Sequence, residues 1–161
     1  MEIPENGDHR SEPLRADRIG IAQALPESRN AEARKFRAEG DSALEADALD
    51  AAATAYQSAI DADGENIRAH HNLGVVHYKL GNWSEARKCF ERCQELAPDE
   101  ADLSFKVGLC YLKEEDPDRA QRAFETTLEQ NQDHLSARFQ LALLHARTTS
   151  RARDRGRAVQ A

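Results

Sequence analysis

Long apolar stretches are missing from this 161-residue chain. No run approaches the ~18 apolar residues that a membrane-spanning helix needs, so the sequence predicts no membrane span. The segment Met1 to Arg10 carries Glu2, Glu5 and Asp8 in place of the basic and apolar sequence of a secretory signal. We therefore expect an intracellular protein with a cytoplasmic location.

Cysteine is also scarce, and the three that occur form no paired framework, which fits a reducing compartment. Cys89 and Cys93 are four residues apart and share a helix face, but no second pair stands at zinc-finger spacing. The expected metal content is none. Cys93 occupies the place held by Ala59 and Thr127 in the neighbouring stretches, which predicts a small buried slot.

Local motifs of catalysis are absent from the sequence. There is no glycine-rich phosphate loop, no H-E-x-x-H and no G-x-S-x-G, and the acidic residues are spread as on solvated helix faces. The histidine cluster consists of His70, His71 and His77, of which His70 and His77 lie seven apart on one stripe. We predict half-buried packing histidines, no catalytic residue, no enzyme and no cofactor.

What the chain does contain is a period of 34 residues. Three kinds of residue recur at this offset, namely glycine at Gly40, Gly74 and Gly108, alanine at Ala52, Ala86 and Ala120, and an aromatic at Tyr56, Phe90 and Phe124. A period shared by three independent positions marks a repeat architecture. Each unit holds two segments with apolar or small residues at i, i+3, i+4 and i+7, which predicts two short amphipathic helices.

The residues between the segments fit helix ends. Gly81 and Asn82 are expected to end one helix, with Ser84 capping the next, and Asp116 with Pro117 reads as an N-cap followed by proline. A mid-helix glycine costs about 0.8 to 1.0 kcal/mol relative to alanine, so three of them need a packing reason. We expect Gly74 to let its helix approach Ala86 closely, with Phe90 filling the space beside the contact.

One stretch carries the repeat most fully, as His70-x2-Leu73-Gly74-x2-His77, then Ala86-x3-Phe90, then Pro98. This pattern resembles the tetratricopeptide repeat signature, with histidine in the usual tryptophan and tyrosine places. The resemblance implies an all-α fold in which three helix-turn-helix repeats stack as a right-handed superhelix. The expected repeats are residues 33–66, 67–100 and 101–134, followed by a C-terminal capping helix at 135–147, so that the repeat domain covers 31–147.

The two ends of the chain differ from this body. Residues 1–30 suit a flexible arm with a short helix between Leu14 and Leu25, and residues 148–161 suit a flexible basic tail. Residues 147–161 hold five arginines against Asp154, whereas the whole chain has a net charge of −7. Because the tail lacks an aromatic for base stacking and the body is acidic, nucleic-acid binding is not expected.

The resemblance also implies a concave groove, built from the first helix of each repeat, that holds a peptide or helix of a partner. Phe105 and Phe139 lie one place past the packing position, which turns them about 100 degrees towards this groove as an exposed aromatic stripe. The expected groove residues are Arg37, Arg68, His71, Val75, Tyr78, Lys79, Phe105, Lys106, Leu109, Lys113 and Phe139, with Leu112, Leu143 and Arg147 beside them.

Some tetratricopeptide proteins clamp the acidic tails of heat-shock chaperones. The clamp positions correspond here to Arg37, Asp41, Asn72, Asp102 and Lys106. Asp41 and Asp102 would repel a carboxylate, so we do not expect chaperone-tail capture as the leading function.

The resulting hypothesis is a non-enzymatic protein-protein interaction module, a scaffold or adaptor that binds a peptide or helix in its groove. Two alternatives stay open from the sequence. One is a secretion-type chaperone for a membrane-active client, suggested by size, repeat number and acidity. The other is a self-assembling homo-oligomeric scaffold, in which exposed ends of the superhelix dock on one another.

Overall fold

The structure, a computed structural model, describes the backbone of residues 30–159, and side-chain surroundings are described up to Ser150 and at Arg153. The expected arm at 1–30, with its helix between Leu14 and Leu25, therefore lies outside the described residues except for residue 30. Within residues 30–159 every regular element is a helix, so the all-α prediction is confirmed.

Along residues 30–159 seven helices follow one another with short connections. From α2 onward, each helix packs against the next one in the chain. Each of the predicted repeats 33–66, 67–100 and 101–134 spans two consecutive helices, and α7 follows them. The helices are α1 (residues 30–45), α2 (Leu49–Ala62), α3 (Ile67–Leu80), α4 (Trp83–Leu96), α5 (Ala101–Lys113), α6 (Pro117–Gln130) and α7 (Leu135–Val159).

The repeated glycines meet the repeated aromatic rings. A Cβ atom added at Gly74 would lie 2.7 Å from the Phe90 ring, and one added at Gly108 would lie 2.5 Å from the Phe124 ring. Gly40 faces the Tyr56 ring in the same way. The expected close approach is therefore present, although its partner is the edge of the ring and not the alanine that precedes it.

The core forms one layer at each junction between repeats. Each layer joins the second helix of one repeat to the first helix of the next, as in the cluster of Ala86, Phe90, Cys93, Leu103, Val107 and Cys110. Cys93 is fully buried, which confirms the predicted small slot, and burial raises the pKa of its thiol to about 12. Burial likewise raises the pKa of Cys110 to about 12 and that of Cys89 to about 11. All three thiols are free.

Two of the predicted helix ends are confirmed and one is wrong. Asp116 accepts a hydrogen bond from the Arg119 backbone N–H at 3.0 Å, directly before Pro117, and Gly81 ends α3 with φ of 80°. Ser84 does not cap α4, because that helix already begins at Trp83. The Trp83 ring, in the first turn of α4, packs edge-on against Tyr78 with centroids 5.0 Å apart.

The last helix is longer than expected. The sequence predicts a capping helix at 135–147 and a flexible tail after it, but α7 continues to Val159. Between Leu135 and Gly156 the chain contains neither proline nor glycine, and the alanine and arginine residues of this stretch favour helix. Thr148 and Thr149 donate their hydroxyls to the His145 carbonyl at 2.9 and 2.6 Å, so they bond within the helix. None of the helices in the described part combines the length and the apolar character needed to cross a bilayer.

Candidate functional site

The first helices of the second and third repeats enclose an apolar pocket of about 260 Å³. Val75 and Tyr78 of α3 face Leu109 of α5 across it, and Phe90 of α4 contributes to its wall. Lys79 and Lys106 supply the only charges in the lining. The pocket therefore offers apolar walls with two cations, a combination that suits an apolar side chain beside an acidic one.

Two further pockets extend this surface along the superhelix. The one towards α7, of about 360 Å³, shares Tyr78 and Leu109 with the apolar pocket, and its other lining residues are Leu112, Lys113, Gln140, Leu143, Leu144 and Arg147. The one towards the start of α3 and α5, of about 500 Å³, is lined by Ile67, Arg68, His71, Asn72, Ala97, Glu100, Asp102 and Leu103. Eight of the eleven expected groove residues thus line these three pockets, and the apolar pocket is joined by shared residues to the one towards α7.

Cations surround the apolar part of this surface. Lys79 is exposed, and the Lys113 ammonium lies 5.4 Å from the centroid of the Trp83 ring. Lys106 is half-buried and paired with Asp102, and its burial lowers the pKa of its ammonium. Burial also raises the pKa of the Tyr78 hydroxyl, so Tyr78 is neutral near pH 7.

Phe105 does not form the exposed aromatic stripe that the sequence suggested. Its ring is half-buried between Phe124 and His134, with centroids 5.5 and 4.8 Å away. His71, at the same place one repeat earlier, meets Phe90 at 5.9 Å. A residue at this position therefore packs against the aromatic ring of the second helix of its own repeat. The angular position of the side chain on its own helix does not by itself predict this contact.

Phe139 occupies the same position in α7 and is 62% exposed. It lies outside the three pockets described above, whereas Leu143 and Arg147 of the same helix line one of them. The structure thus places Phe139 apart from the other expected groove residues of α7.

Asp41 and Asp102 already have partners within the chain. The Asp41 carboxylate accepts hydrogen bonds from the Tyr56 hydroxyl at 2.7 Å and from the Asn72 amide at 3.0 Å. Burial and the hydrogen bond to Asp41 raise the pKa of Tyr56. The sequence reasoning missed this network, although tyrosine in a position otherwise held by phenylalanine signals a hydroxyl that needs a partner.

The histidines behave as packing residues in the part of the chain that is described. His70 and His77 are both half-buried, and the His70 Nε2 lies 3.0 Å from the Gly64 carbonyl oxygen. Among the described residues, no three histidine, cysteine or acidic side chains converge as a metal site would require.

Stacked helical hairpins with a groove along their first helices define a helical-repeat protein. Three family models match the chain, described as tetratricopeptide repeat over residues 67–100 and 105–157 and as TPR repeat over residues 40–81. The chain belongs to the tetratricopeptide repeat family.

Two curated relatives are similar over part of their length. The mouse protein O-mannosyl-transferase TMTC1 is 27% identical over 130 residues, which is 81% of this chain and 13% of the relative. The Arabidopsis thaliana protein CTR9 homolog is 26% identical over 97 residues, which is 60% of this chain and 9% of the relative. The chain thus spans only a small part of both relatives.

Solved structures share the fold at low sequence identity. A crystal structure of MamA is 18% identical with a TM-score of 0.69, covering 89% of this chain and 86% of MamA. The first TPR of Spaghetti (RPAP3), bound to the HSP90 peptide SRMEEVD, is 17% identical with a TM-score of 0.68 and covers 74% and 94%. The Yersinia enterocolitica type III secretion translocator chaperone SycD is 13% identical with a TM-score of 0.68 and covers 73% and 95%.

Proposed function

We propose that this chain is a non-enzymatic protein-interaction module that holds a segment of a partner protein in its concave groove. The observation that supports this most is the apolar pocket between Val75, Tyr78 and Leu109, with Lys79 and Lys106 in its lining. Tetratricopeptide neighbours of similar fold bind short peptides, as the complex with SRMEEVD shows for RPAP3. The proposed ligand is an extended or helical segment with an apolar anchor and flanking acidic residues.

The groove residues divide into anchors and charges. Tyr78 and Leu109 belong to two pockets at once, so a ligand that lies along the groove contacts both of them. Lys79, Lys106 and Lys113 set the register of acidic ligand residues. Arg68 and His71 line the pocket at the start of α3, where Glu100 and Asp102 also lie. Arg37 belongs to the same expected surface on α1. A few apolar contacts supply most of the affinity.

The internal contacts of Asp41 and Asp102 argue against capture of a chaperone tail. Asp102 pairs with Lys106, and Asp41 engages Asn72, so two of the five clamp positions are already satisfied by carboxylates of the chain itself. An incoming terminal carboxylate would have to displace them against like charge. A peptide ending in EEVD is therefore proposed to bind less tightly than one with an internal apolar anchor.

A peptide-display selection on the full chain, followed by calorimetry on the selected sequences, tests this function. We expect sequences with an aliphatic or aromatic residue flanked by Asp or Glu, and binding that weakens as salt rises. The variants Tyr78→Ala and Lys79→Glu should each weaken binding at least about tenfold. Lys88→Glu, the same charge reversal at an exposed site on α4, is the matched control. Selected peptides that bind the Tyr78→Ala and Lys79→Glu variants as well as the wild type would contradict the proposal.

The remaining expectations stay predictions. The likeness to the secretion chaperone SycD is a likeness of fold alone, and co-expression with an aggregation-prone, membrane-active client would test that alternative. A cytoplasmic setting and the absence of nucleic-acid binding rest on the sequence reasoning given above.

A further inference from the structure

Helix α7 has two apolar faces up to Ser150, and the repeat domain as described by residues 30–159 covers one of them. At about 100 degrees per residue the two sets lie on opposite sides of the helix. The face packed against α6 holds Ala137, Leu141 and Leu144. Up to Ser150 the exposed apolar residues of α7 are Leu135, Phe139, Ala142, Leu143 and Ala146. All but Leu143 form one stripe, called the outer stripe below.

The outer stripe is strongly exposed for apolar side chains. Leu135 is 75% exposed and Phe139 is 62% exposed. Its spacing of four, three and four residues is the spacing of a helix seam that pairs with another helix. Scattered exposed apolar residues are ordinary, but a seam of this regularity is typical of a contact surface.

The equivalent positions of the earlier repeats indicate which kind of element packs against this stripe. Phe139 is the third member of the series that starts with His71 and Phe105, both of which contact a ring on the second helix of their own repeat. Ala142 stands where Gly74 and Gly108 receive that ring. The ring for Phe139 would be at position 158, but that residue is Ala158, and it belongs to α7 itself. Within the described residues no second helix follows α7, so the stripe matches the packing face of an absent helix.

A second α7 fits this face because the outer stripe is complementary to itself. When two copies run antiparallel about a two-fold axis passing between residues 140 and 141, Phe139 of each copy meets Ala142 of the other. Leu135 of each copy then meets Ala146 of the other. Each large side chain is thus set against a small one, as close helix packing requires.

The charges beside the stripe favour the same antiparallel arrangement. Arg147 follows the stripe and is exposed, and in the antiparallel pair it comes near Asp133 of the other copy, an exposed carboxylate that also lies 3.6 Å from Arg138 of its own chain. The arginine-rich half of each α7 then extends over the second copy, whose chain has a net charge of −7. In a parallel pair the two arginine-rich halves would lie side by side and repel.

We propose that two copies of this chain form a homodimer through the outer stripes of their α7 helices, paired antiparallel. The stripe of one copy takes the place of a second helix, which the described residues of the other copy do not supply after α7. This contact does not depend on the proposed groove function, because none of the four stripe residues lines the three groove pockets, although Arg147 lies beside both surfaces.

Sedimentation equilibrium of the full chain over a wide concentration range is the first test. We expect a monomer–dimer equilibrium, with Phe139→Glu raising the dissociation constant at least about tenfold. Because Phe139 is exposed, this variant should keep its helical circular dichroism spectrum and its groove-peptide affinity. Ser84→Glu, the introduction of the same charge at an exposed site on α4, should dimerise as the wild type does. A wild type that stays monomeric at every concentration would overturn the proposal, whether its stripe is bare or covered by residues 1–29. Dimers whose dissociation constant is unaffected by Phe139→Glu would also overturn it.

Disulfide trapping fixes the register and direction. A mixture of the single variants Leu135→Cys and Ala146→Cys should form mixed disulfide dimers on oxidation. Each variant alone should not, because its introduced thiol lies about 16 Å along the axis from its copy in the dimer. Trapping of Leu135→Cys with itself would show parallel pairing and overturn the antiparallel contact. The wild type, whose Cys89 thiol has a pKa raised by burial, is the background control.

Discussion

Helices α5 and α7 follow the same repeat register and differ in what covers them. In α5, Gly108 lies against the Phe124 ring, and Phe105 is half-buried beside the same ring. In α7 the equivalent residues are Ala142 and Phe139, and both are exposed. The identity of a residue in the repeat therefore does not fix its burial, because burial depends on whether a second helix follows.

The comparison separates two roles of a repeat position. Inside the stack, an aromatic in the first helix consolidates the hairpin, and at the end of the stack the same aromatic becomes available for another molecule. A solenoid end is thus a place where packing residues turn into contact residues without any change of sequence pattern. The following predictions test how far α5 and α7 differ.

Phe124→Ala should have the largest effect. The ring is fully buried and fills the space against Gly108, so its loss leaves a cavity and should destabilise the protein by about 3 to 5 kcal/mol. Phe139→Ala should change the free energy of unfolding by no more than about 0.5 kcal/mol when measured on the monomer. Urea titrations at low protein concentration provide both numbers, and similar losses for the two variants would remove the difference between the helices.

Gly108→Ala should have the second largest effect on stability. The added Cβ would lie 2.5 Å from the Phe124 ring, so the hairpin must open slightly, at a loss of about 1 to 3 kcal/mol. Alanine is the better helix former, so an open site would instead gain stability from this change. Ala142→Leu, which adds more bulk at the equivalent position of α7, should be nearly neutral in the monomer. Thermal melts distinguish these outcomes, and a stabilised Gly108→Ala variant would show that the close contact is absent in solution.

Ser104→Ala should have an intermediate effect. The Ser104 hydroxyl accepts a hydrogen bond from Gln94 at 2.9 Å and donates one to Gln130 at 2.9 Å, and the side chain is buried. Its removal takes this partner from the Gln94 amide N–H and the Gln130 amide oxygen, at a cost of about 1 to 2 kcal/mol. The equivalent residue in α7 is the exposed Arg138, and Arg138→Ala should cost less than about 0.5 kcal/mol. Chemical denaturation checks both, and equal losses would mean that the hydroxyl bridge contributes nothing.

The smallest predicted effect is that of the buried thiols on the free energy of unfolding, which is negligible at neutral pH and appears at alkaline pH. Burial raises the pKa of Cys93 and of Cys110 from the ordinary 9.0 to about 12. Between these values the unfolded chain loses thiol protons that the folded chain keeps, so the free energy of unfolding falls as pH rises above about 9. Cys110→Ala should flatten this dependence, whereas a substitution in α7, such as Phe139→Ala, should leave it unchanged. Denaturation curves between neutral pH and pH 11 would contradict this account if the wild type and Cys110→Ala had the same slope.

Much of the fold could be predicted from the sequence because the period fixes many positions at once. The glycines, the alanines and the aromatic residues each identify a packing site. Asp116 followed by Pro117 predicts the start of a helix. Cys93 was correctly placed in the core because two small residues mark the same slot in the other repeats.

The misses involve contacts between residues that are far apart in sequence. Nothing local shows that Tyr56 bonds Asp41, or that His134 stacks on Phe105. The full length of α7 was not predicted, because the repeat period places a turn near residue 147. The residues of the arginine-rich segment nevertheless favour helix, and α7 continues through them. Of the groove, the sequence predicted the lining near Tyr78 and Lys106 but could not show which aromatics a second helix would cover.

Side-chain oxidation footprinting of the monomer tests the central claim most directly, because it reports the accessibility of each aromatic ring. At low protein concentration we predict modification to be fastest at Phe139, slower at the half-buried Phe105 and slowest at the buried Phe124. Phe139 protected as well as Phe124 in a verified monomer would show that the outer stripe is covered within one chain, and would contradict the account.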